Sequence, residues 1–440
     1  MPATLLDLLS NSLVLHHTAP YLPVAATLAL SRTSKSFRDL VLHTPDVFRY
    51  LDLSTVKSAV VPYTPIDIGG NNWRAERMDE ALTEDEFYSG PLRGIFSKLE
   101  RRHLLRNVQT LVLDGLSVPA DLVREIIAED RYSVRVLSIR DVKNLNERKL
   151  RQALNYAVRP SRPEGTPRLK ALYVFGPRDS TPAEGPPKPT RSPPRIPTPS
   201  GVTTSQGAQI GAEWNEKSAQ ALTAALARTT DKWYQPAGRI FSKRPSYDWA
   251  DTLQACEGII YFDAVLCRGP RHSAPASSTS PAYAYPTQPQ TYLRPAVASI
   301  ALGTAGCATC GSCPETPAVF GQSPLTHLPL LSPPPLHAST IRAAQLPATL
   351  DGSPPPRLIV RCEDCLRGRW CERCNKWWDE DCYQGLPNST RTELQQQEAI
   401  ENMMAQLDSS YKRDVKVHMG LCIEKCYVSE MMAVTDGMWG

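Results

Sequence analysis

The apolar positions near the start of the chain follow a helical period. Three short helices are predicted: one over residues 4–17, one that begins at about Pro23, and one that Thr33-Ser34 can cap and Pro45 ends. Their apolar side chains recur every three or four residues and are Leu5, Leu6, Leu9, Leu13, Val24, Leu28, Leu30, Phe37, Leu40 and Val41. Helices this short bury little surface, so we expect them to pack against a partner or a following domain.

A strand template L-x-x-L-x-L follows the helices. It occurs at Phe48/Leu51/Leu53, Val108/Leu111/Leu113, Val134/Leu137/Ile139, Leu169/Leu172/Val174 and Val297/Ile300/Leu302, with a looser match at Ile259/Ile260/Phe262. Amphipathic helices are predicted between these strands, over residues 121–129, 145–158 and 216–228. The recurrence of one template favours a curved solenoid of stacked repeats. An ordinary α/β domain is the alternative interpretation.

The spacing of the template bears on the kind of repeat. Val108 and Val134 are 26 residues apart, within the roughly 20–29 residues of leucine-rich repeats. Proline-rich stretches lengthen the other spacings, and the chain has 40 prolines in all. Disordered insertions are therefore predicted over about 176–206, 268–295 and 314–356.

Charge and targeting signals narrow the class of protein. The chain has 49 basic and 45 acidic residues, a net charge of +4, which is too small an excess to predict a nucleic-acid partner. The first residues lack the basic start of a secretory signal, and no apolar run reaches the roughly 18 residues that span a bilayer. We expect a protein of the cytoplasm or nucleus, with no membrane partner, whose cysteines are thiols or metal ligands.

The C-terminal part of the chain is rich in cysteine. Ten of the 12 cysteines lie beyond residue 306, and most form Cys-x-x-Cys pairs with two residues between the cysteines. This spacing is typical of structural zinc sites. One or two Zn²⁺ ions are predicted. The preferred scheme joins Cys310 and Cys313 with Cys362 and Cys365, and joins Cys371 and Cys374 with Cys422 and Cys426. Cys307 and Cys382 are alternates in this scheme.

Other assignments remain open. Cys362, Cys365, Cys371 and Cys374 could share a single ion, and His418 is a further candidate ligand. Cys256 and Cys267 are predicted to be buried thiols of the repeat core. The nearby tryptophans Trp370, Trp377 and Trp378 are expected to pack over the metal site, although protruding tryptophans could instead anchor a bound protein.

The N-terminal helices carry a recognisable motif. The residues that form it are Leu22-Pro23, the leucines Leu28 and Leu30, and Lys35-x-Phe37-Arg38-x-Leu40. They resemble the second half of an F-box, whereas Leu9-Ser10 stands where that family usually has Leu-Pro. The whole chain is similar to fungal F-box proteins with a cysteine-rich C-terminus, especially through residues 262–272.

The resemblance implies a fold and a partner. The fold is α/β: a three-helix F-box over 1–45, an irregular leucine-rich-repeat-like solenoid over 46–305, and a zinc-binding region over 306–440. F-box helices bind a small Skp-type linker protein, which in turn binds a cullin scaffold. The docking residues would be Leu9, Leu13, Leu22, Pro23, Leu28, Leu30, Phe37 and Leu40. The same helices could instead only cap the solenoid.

Two functions are compatible with these patterns. The first is the substrate receptor of a Skp–cullin–F-box ubiquitin ligase, an adaptor that recruits an unknown client protein and has no catalytic residue of its own. The second is a zinc-stabilised interaction scaffold unrelated to ubiquitin and possibly associated with nucleic acid. The chain contains no phosphate-binding glycine motif, no G-x-S-x-G and no H-E-x-x-H, and RING-type ligases usually have a Cys-x-His step that is missing here.

Overall fold

The computed structural model describes residues 4–56, 59–60, 84–178, 238–241, 243–272, 292–331, 334–335, 341–346, 354–383 and 415–429. The chain forms two compact units. The first comprises Met1–Gln235 and Leu330–Ser353, and the second comprises Pro236–Pro329 and Pro354–Gly440. Among the described residues, none of the helices has the length and apolar character needed to cross a membrane.

The first unit begins with a cluster of short helices. They are α1 (Leu5–Ser10), α2 (Ser12–Thr18), α3 (Val24–Thr33) and α4 (Lys35–His43). The single helix predicted over residues 4–17 is thus two helices, because the Asn11 side chain accepts hydrogen bonds from the Leu13 and Val14 amides at 3.0 and 3.4 Å and starts a new helix. Of the predicted capping residues Thr33 and Ser34, Ser34 caps α4, with its hydroxyl accepting from the Phe37 amide at 3.1 Å.

The helix cluster shares its core with the residues that follow it. The buried members are Leu9, Leu15, Ala19, Val41, Val47, Phe48 and Leu104. Four of the predicted docking residues pack against this core and are partly buried: Leu28, Leu30, Phe37 and Leu40. The helices therefore do cover apolar residues of the domain that follows them.

Four parallel strands form the sheet of the first unit. They are β1 (Tyr50–Asp52), β2 (Thr110–Val112), β3 (Val136–Ser138) and β4 (Ala171–Tyr173), paired in chain order with Leu51, Leu111, Leu137 and Leu172 in register. These strands are the first four matches to the L-x-x-L-x-L template. The leucines are fully buried because helices separate the strands and cover the sheet.

Of the three longer described helices that follow the N-terminal cluster, the first was not predicted and the other two lie where the periodicity predicts them. They are α5 (Glu84–Glu100), α6 (Ala120–Ala128) and α7 (Glu147–Ala157). The last two differ from the predicted bounds by one or two residues. The predicted helix over 216–228 lies outside the described residues. A short helix, α9 (Ile341–Gln345), also belongs to this unit.

The second unit is built from short strands. Its main sheet is antiparallel, in the order β5 (Gly238–Arg239), β7 (Ile300–Leu302), β9 (Arg357–Arg361) and β8 (Ala318–Val319). A hairpin of β10 (Val417–His418) and β11 (Leu421–Cys422) turns through Met419 and Gly420, both with positive φ. The remaining elements are α8 (Asp248–Ala255), β6 (Tyr261–Phe262) and α10 (Glu363–Leu366).

Two predictions differ from this architecture. The template match at Val297/Ile300/Leu302 is β7, which pairs antiparallel with β5 and β9 instead of extending the parallel stack. An apolar spacing records which side chains are buried, not the direction of pairing. The loop predicted over 314–356 contains β8, because buried Ala318 and Phe320 fix this segment beside β9.

A buried ion pair lies at the carboxyl ends of β2 and β3. The Arg140 guanidinium donates to the Asp114 carboxylate at 2.7 Å, and the Arg140 amide and Ser138 hydroxyl donate to it at 2.8 and 2.6 Å. Both side chains are less than 5% exposed. Burial raises the pKa of Asp114, while Arg140 and the hydrogen bonds act in the opposite direction. The pair connects the residues that follow β2 to those that follow β3.

We expect Asp114→Ala to destabilise the first unit by about 3–5 kcal/mol, since the change leaves the Arg140 charge buried without its carboxylate. Chemical denaturation followed by far-UV circular dichroism measures the change. The control is Asp130→Ala, because Asp130 is 96% exposed in its ion pair with Arg168, and its removal should change stability by less than about 0.5 kcal/mol. Equal losses in the two variants would contradict the prediction.

Candidate metal centres

Three groups of side chains in the second unit bring four metal-ligand atoms together. We call them the first centre (Cys267, His272, Cys362, Cys365), the second centre (Cys307, Cys310, Asp379, Cys382) and the third centre (Cys371, Cys374, Cys422, Cys426). Within each centre the ligand atoms lie within 4.8 Å of one another. All twelve cysteines of the chain are free thiols. Each centre could hold one metal ion.

The first centre joins segments that are about ninety residues apart. Cys362 caps α10 and Cys365 lies within that helix, while His272 ends the 3-10 turn Pro270–His272. His272 Nε2 is 3.2 Å from Cys362 Sγ, and Cys267 Sγ is 3.6 Å from Cys365 Sγ. The Cys362 amide donates to Cys267 Sγ at 3.2 Å. The sulfur atoms are therefore placed by backbone as well as by side-chain contacts.

Neighbouring groups shift the ionisation of His272 and Cys362 in the first centre. Burial lowers the pKa of His272, but hydrogen bonds to Cys267 and Cys362 outweigh burial and raise it to about 10. Hydrogen bonds from Cys267 and Cys365 lower the pKa of Cys362. Gly269 lies directly against this group, and a Cβ atom there would be 2.8 Å from Cys365 Sγ. A larger residue would displace a ligand.

The second centre contains a carboxylate. Cys310 Sγ lies 3.0 Å from Asp379 Oδ2, and the Asp379 amide donates to Cys307 Sγ at 3.3 Å. The Cys382 amide donates to Asp379 Oδ1 at 2.7 Å, which fixes the orientation of the carboxylate. Gly306 has φ +84°, and a Cβ atom there would be 2.4 Å from the Gly311 carbonyl oxygen. This turn requires glycine because of its positive φ and because it has no space for a Cβ atom.

The third centre is formed by two turns. Cys371 and Cys374 flank one turn, which closes with the Asn375 amide donating to the Cys371 carbonyl at 2.8 Å. Cys422 ends β11, and Cys426 lies in the π-helical turn Ile423–Tyr427. Cys374 Sγ and Cys422 Sγ are 3.6 Å apart. Burial raises the pKa of Cys371, but amide donors that include Cys374 and Cys422 outweigh it and bring the pKa to about 7.

The three tryptophans pack against these centres. Trp370, Trp377 and Trp378 are all buried, in one core with Cys307 and with Cys371, Cys422 and Cys426 of the third centre. The prediction that the tryptophans cover the metal sites therefore agrees with the structure. Two buried arginines lie nearby: Arg361 is paired with Glu315 and Glu380, and Arg369 with Glu380.

The distances within the centres agree with metal coordination and exclude disulfides. The sulfur–sulfur separations of 3.6 Å are far beyond the roughly 2.05 Å of a disulfide. Tetrahedral coordination with metal–sulfur bonds of about 2.3 Å places the sulfurs about 3.8 Å apart. Four protein ligands complete a tetrahedral shell and leave no open position for a substrate, so an ion here would have a structural role.

The structure brings together one of the two predicted ligand sets. Cys371, Cys374, Cys422 and Cys426 form the third centre, as the preferred scheme has them. Cys310 and Cys313 do not join Cys362 and Cys365. Instead Cys313 lies outside all three groups, and burial beside Glu315 raises its pKa to about 11. The alternates Cys307 and Cys382 complete the second centre.

The other ligand hypotheses have a mixed outcome. Cys267 belongs to the first centre and is not a thiol of the repeat core, whereas Cys256 is buried outside the centres. His418 stacks edge-on against Tyr427 and joins no centre, and the four cysteines from 362 to 374 do not share one ion. Sequence reasoning missed His272 and Asp379, although His272 closes the 262–272 segment on which the family resemblance depends.

The predicted docking residues occupy three different environments. Leu9 is buried in the core of the helix cluster, so it is inaccessible to a partner. Leu28, Leu30, Phe37 and Leu40 are partly buried against that core. Leu13, Leu22 and Pro23 are exposed. Leu5, Leu8 and Tyr21, which were not predicted as docking residues, are exposed as well.

Comparisons with known proteins do not assign the chain to a family. No protein-family model matches the chain, and no curated protein matches it significantly.

We expect metal analysis by mass spectrometry to find about three ions per chain, one for each set of four ligands. Cys310→Ser should lower the content by about one ion, because the change removes a thiolate of the second centre. Cys313→Ser is the matched control and should retain every ion. The pairing predicted from sequence requires a loss in both variants, so equal losses would contradict the three centres.

Proposed function

We propose that the chain is an F-box-type adaptor, the substrate-receptor subunit of a Skp–cullin–F-box ubiquitin ligase. The observation that carries this proposal is the apolar surface of the N-terminal helices. Leu5, Leu8, Leu13, Tyr21 and Leu22 are 36% to 70% exposed. A short segment with this many exposed apolar side chains is typical of a protein-interaction site.

The chemistry of this surface suits a helical partner. The exposed residues lie on α1, on α2 and in the turn that follows α2, and Leu5 and Leu8 of α1 have the i, i+3 spacing of helix-in-groove contacts. The Skp-type linker implied by the F-box resemblance is such a partner. In this proposal the exposed set replaces Leu9 as the contact surface, while Leu28, Leu30, Phe37 and Leu40 stabilise the helix cluster from within.

The rest of the chain would hold the client protein. The parallel repeats and the cysteine-rich unit supply an ordered surface on which a client can bind. Catalysis would then be by proximity, since the ligase places a charged conjugating enzyme near a lysine of the client. No side chain of this protein needs to take part in the chemistry.

We propose Zn²⁺ as the ion of all three centres. Four thiolates, or three thiolates with one imidazole or carboxylate, are characteristic of structural zinc. Four-thiolate groups also bind iron–sulfur clusters. However, sulfur pairs of the first and third centres are 3.6 Å apart, and all ligand atoms of each centre lie within 4.8 Å of one another, which is the spacing expected around a single ion.

The identity of the ion can be tested on the purified full-length protein. We expect zinc as the element that mass spectrometry detects, with no absorption band in the visible range, because Zn²⁺ has a filled d shell. Stoichiometric iron with visible absorption would show that the zinc assignment is wrong.

The adaptor proposal is tested by binding of a purified Skp-type linker protein to the full chain. Leu13→Asp combined with Leu22→Asp should weaken binding more than about tenfold, because each change replaces an apolar contact with a charged side chain. Both positions are exposed, so the variant should fold normally. Calorimetric titration measures the affinity, and circular dichroism verifies the fold.

The matched control is Leu346→Asp, which places the same charge on an exposed leucine outside the helix cluster. It should bind the linker as tightly as the unaltered protein. If the unaltered chain does not bind the linker, or if the control loses as much affinity as the double variant, the adaptor proposal is wrong.

A further inference from the structure

A row of polar side chains marks the amino ends of the parallel strands. Arg49, Gln109, Arg135 and Lys170 each directly precede a strand, at equivalent positions of β1 to β4. The ladder extends through them, because the Arg49 carbonyl accepts from the Gln109 amide at 2.9 Å and the Arg135 carbonyl accepts from the Lys170 amide at 2.8 Å. Neighbouring strands are about 4.8 Å apart. Three of these four stacked side chains are basic.

The row borders a pocket of about 510 Å³ within the first unit. Five basic residues line this pocket: Arg49, Arg106, Arg135, Arg168 and Lys170. None of the described residues that line it is acidic. Asn107, Gln109 and Ser133 supply neutral hydrogen-bonding groups. The lining is therefore strongly positive, although the whole chain has a net charge of only +4.

Fixed contacts hold two of the guanidinium groups. Arg168 donates to the Tyr132 carbonyl at 3.0 Å and to the Asp130 carboxylate at 3.2 Å, and Arg49 donates to the Gln109 side chain at 3.2 Å. Arginines that are held in place need less ordering when a ligand binds. Asp130 itself points into solvent, with 96% of its side chain exposed, so it offsets the positive charge only weakly.

The basic side chains repel one another at this spacing. Like charges on neighbouring strands destabilise a sheet. Burial, followed by the charges of Arg162 and Arg135, lowers the pKa of Lys170. An anion between these groups would remove the repulsion and would gain several charge-assisted hydrogen bonds.

We propose that this pocket binds a ligand that carries phosphate groups. Guanidinium groups match the geometry of phosphate oxygens, and the volume is in the range of small-ligand sites. The same chemistry could come from a free polyphosphate or from a phosphorylated side chain of a bound protein. This inference does not depend on the adaptor proposal, since it uses no residue of the docking surface.

The test is calorimetric titration of the full-length protein with four probes. They are sodium tripolyphosphate, a peptide with two phosphoserines, the same peptide without phosphate, and a single-stranded oligonucleotide. We expect at least one phosphate probe to bind, with an affinity that falls as ionic strength rises. Binding of tripolyphosphate alone indicates a free polyanion as ligand. Tighter binding of the phosphopeptide than of tripolyphosphate indicates a phosphorylated protein.

The variants locate the site. Arg135→Glu and Arg106→Glu reverse exposed charges of the lining and should each weaken binding by about tenfold or more, as the loss of a charge-assisted contact does. Arg148→Glu is the matched control: it reverses an exposed arginine on α7, outside the pocket, and should bind the probe like the unaltered protein. Circular dichroism verifies that all three variants fold.

Three results would overturn the proposal. The first is no binding of either phosphate probe at low ionic strength. The second is an equal loss in Arg148→Glu and Arg135→Glu, which would show only a general effect of net charge. The third is tighter binding of a single-stranded oligonucleotide than of tripolyphosphate, with the same dependence on Arg135, which would mark a nucleic-acid surface.

Discussion

The second unit has little regular structure, and its three cysteine centres are the contacts that connect its distant segments. Its strands are two to five residues long and its described helices have four and eight residues. Hydrogen-bonded elements of this size do not offset the entropy of ordering the chain. A metal ion bound at each centre would supply this free energy and would make folding depend on coordination.

The order of the ligands along the chain explains how three small sites can organise one unit. The first centre joins the segment at residues 267–272 to α10. The second joins the loop after β7 to the segment after Trp378, and the third joins the turn at Cys371 to the β10–β11 hairpin. Each centre therefore closes a long loop. The buried tryptophans fill the space between the second and third centres, so the centres and the apolar core form one structure.

The two units differ in how much of them the sequence predicts. Strands β1 to β4 and helices α6 and α7 were predictable, because the burial of one side chain every two or three residues is a local pattern. The short spacing within each pair also identified Cys371, Cys374, Cys422 and Cys426 as candidate ligands, and the preferred scheme grouped them as the structure does. Local spacing carries no information about the partner of an isolated ligand. Cys267 and His272 have no second ligand at the Cys-x-x-Cys spacing, and Asp379 has that spacing from Cys382 but is not a cysteine. Cys313 has the spacing of a ligand and lies outside the three groups.

The regular register of the parallel strands in the first unit also determines where charged side chains collect. Parallel strands in register place the same position of each repeat in one row, so a residue type that recurs there is concentrated at one edge of the sheet. At the leucine positions the row is the buried core. One residue before each strand, the same rule collects Arg49, Arg135 and Lys170. A core gains stability from such concentration, but a row of like charges loses it. The repulsion is smallest when an anion lies between the charges. The same positions that weaken the sheet of the free protein therefore favour a phosphate-bearing ligand.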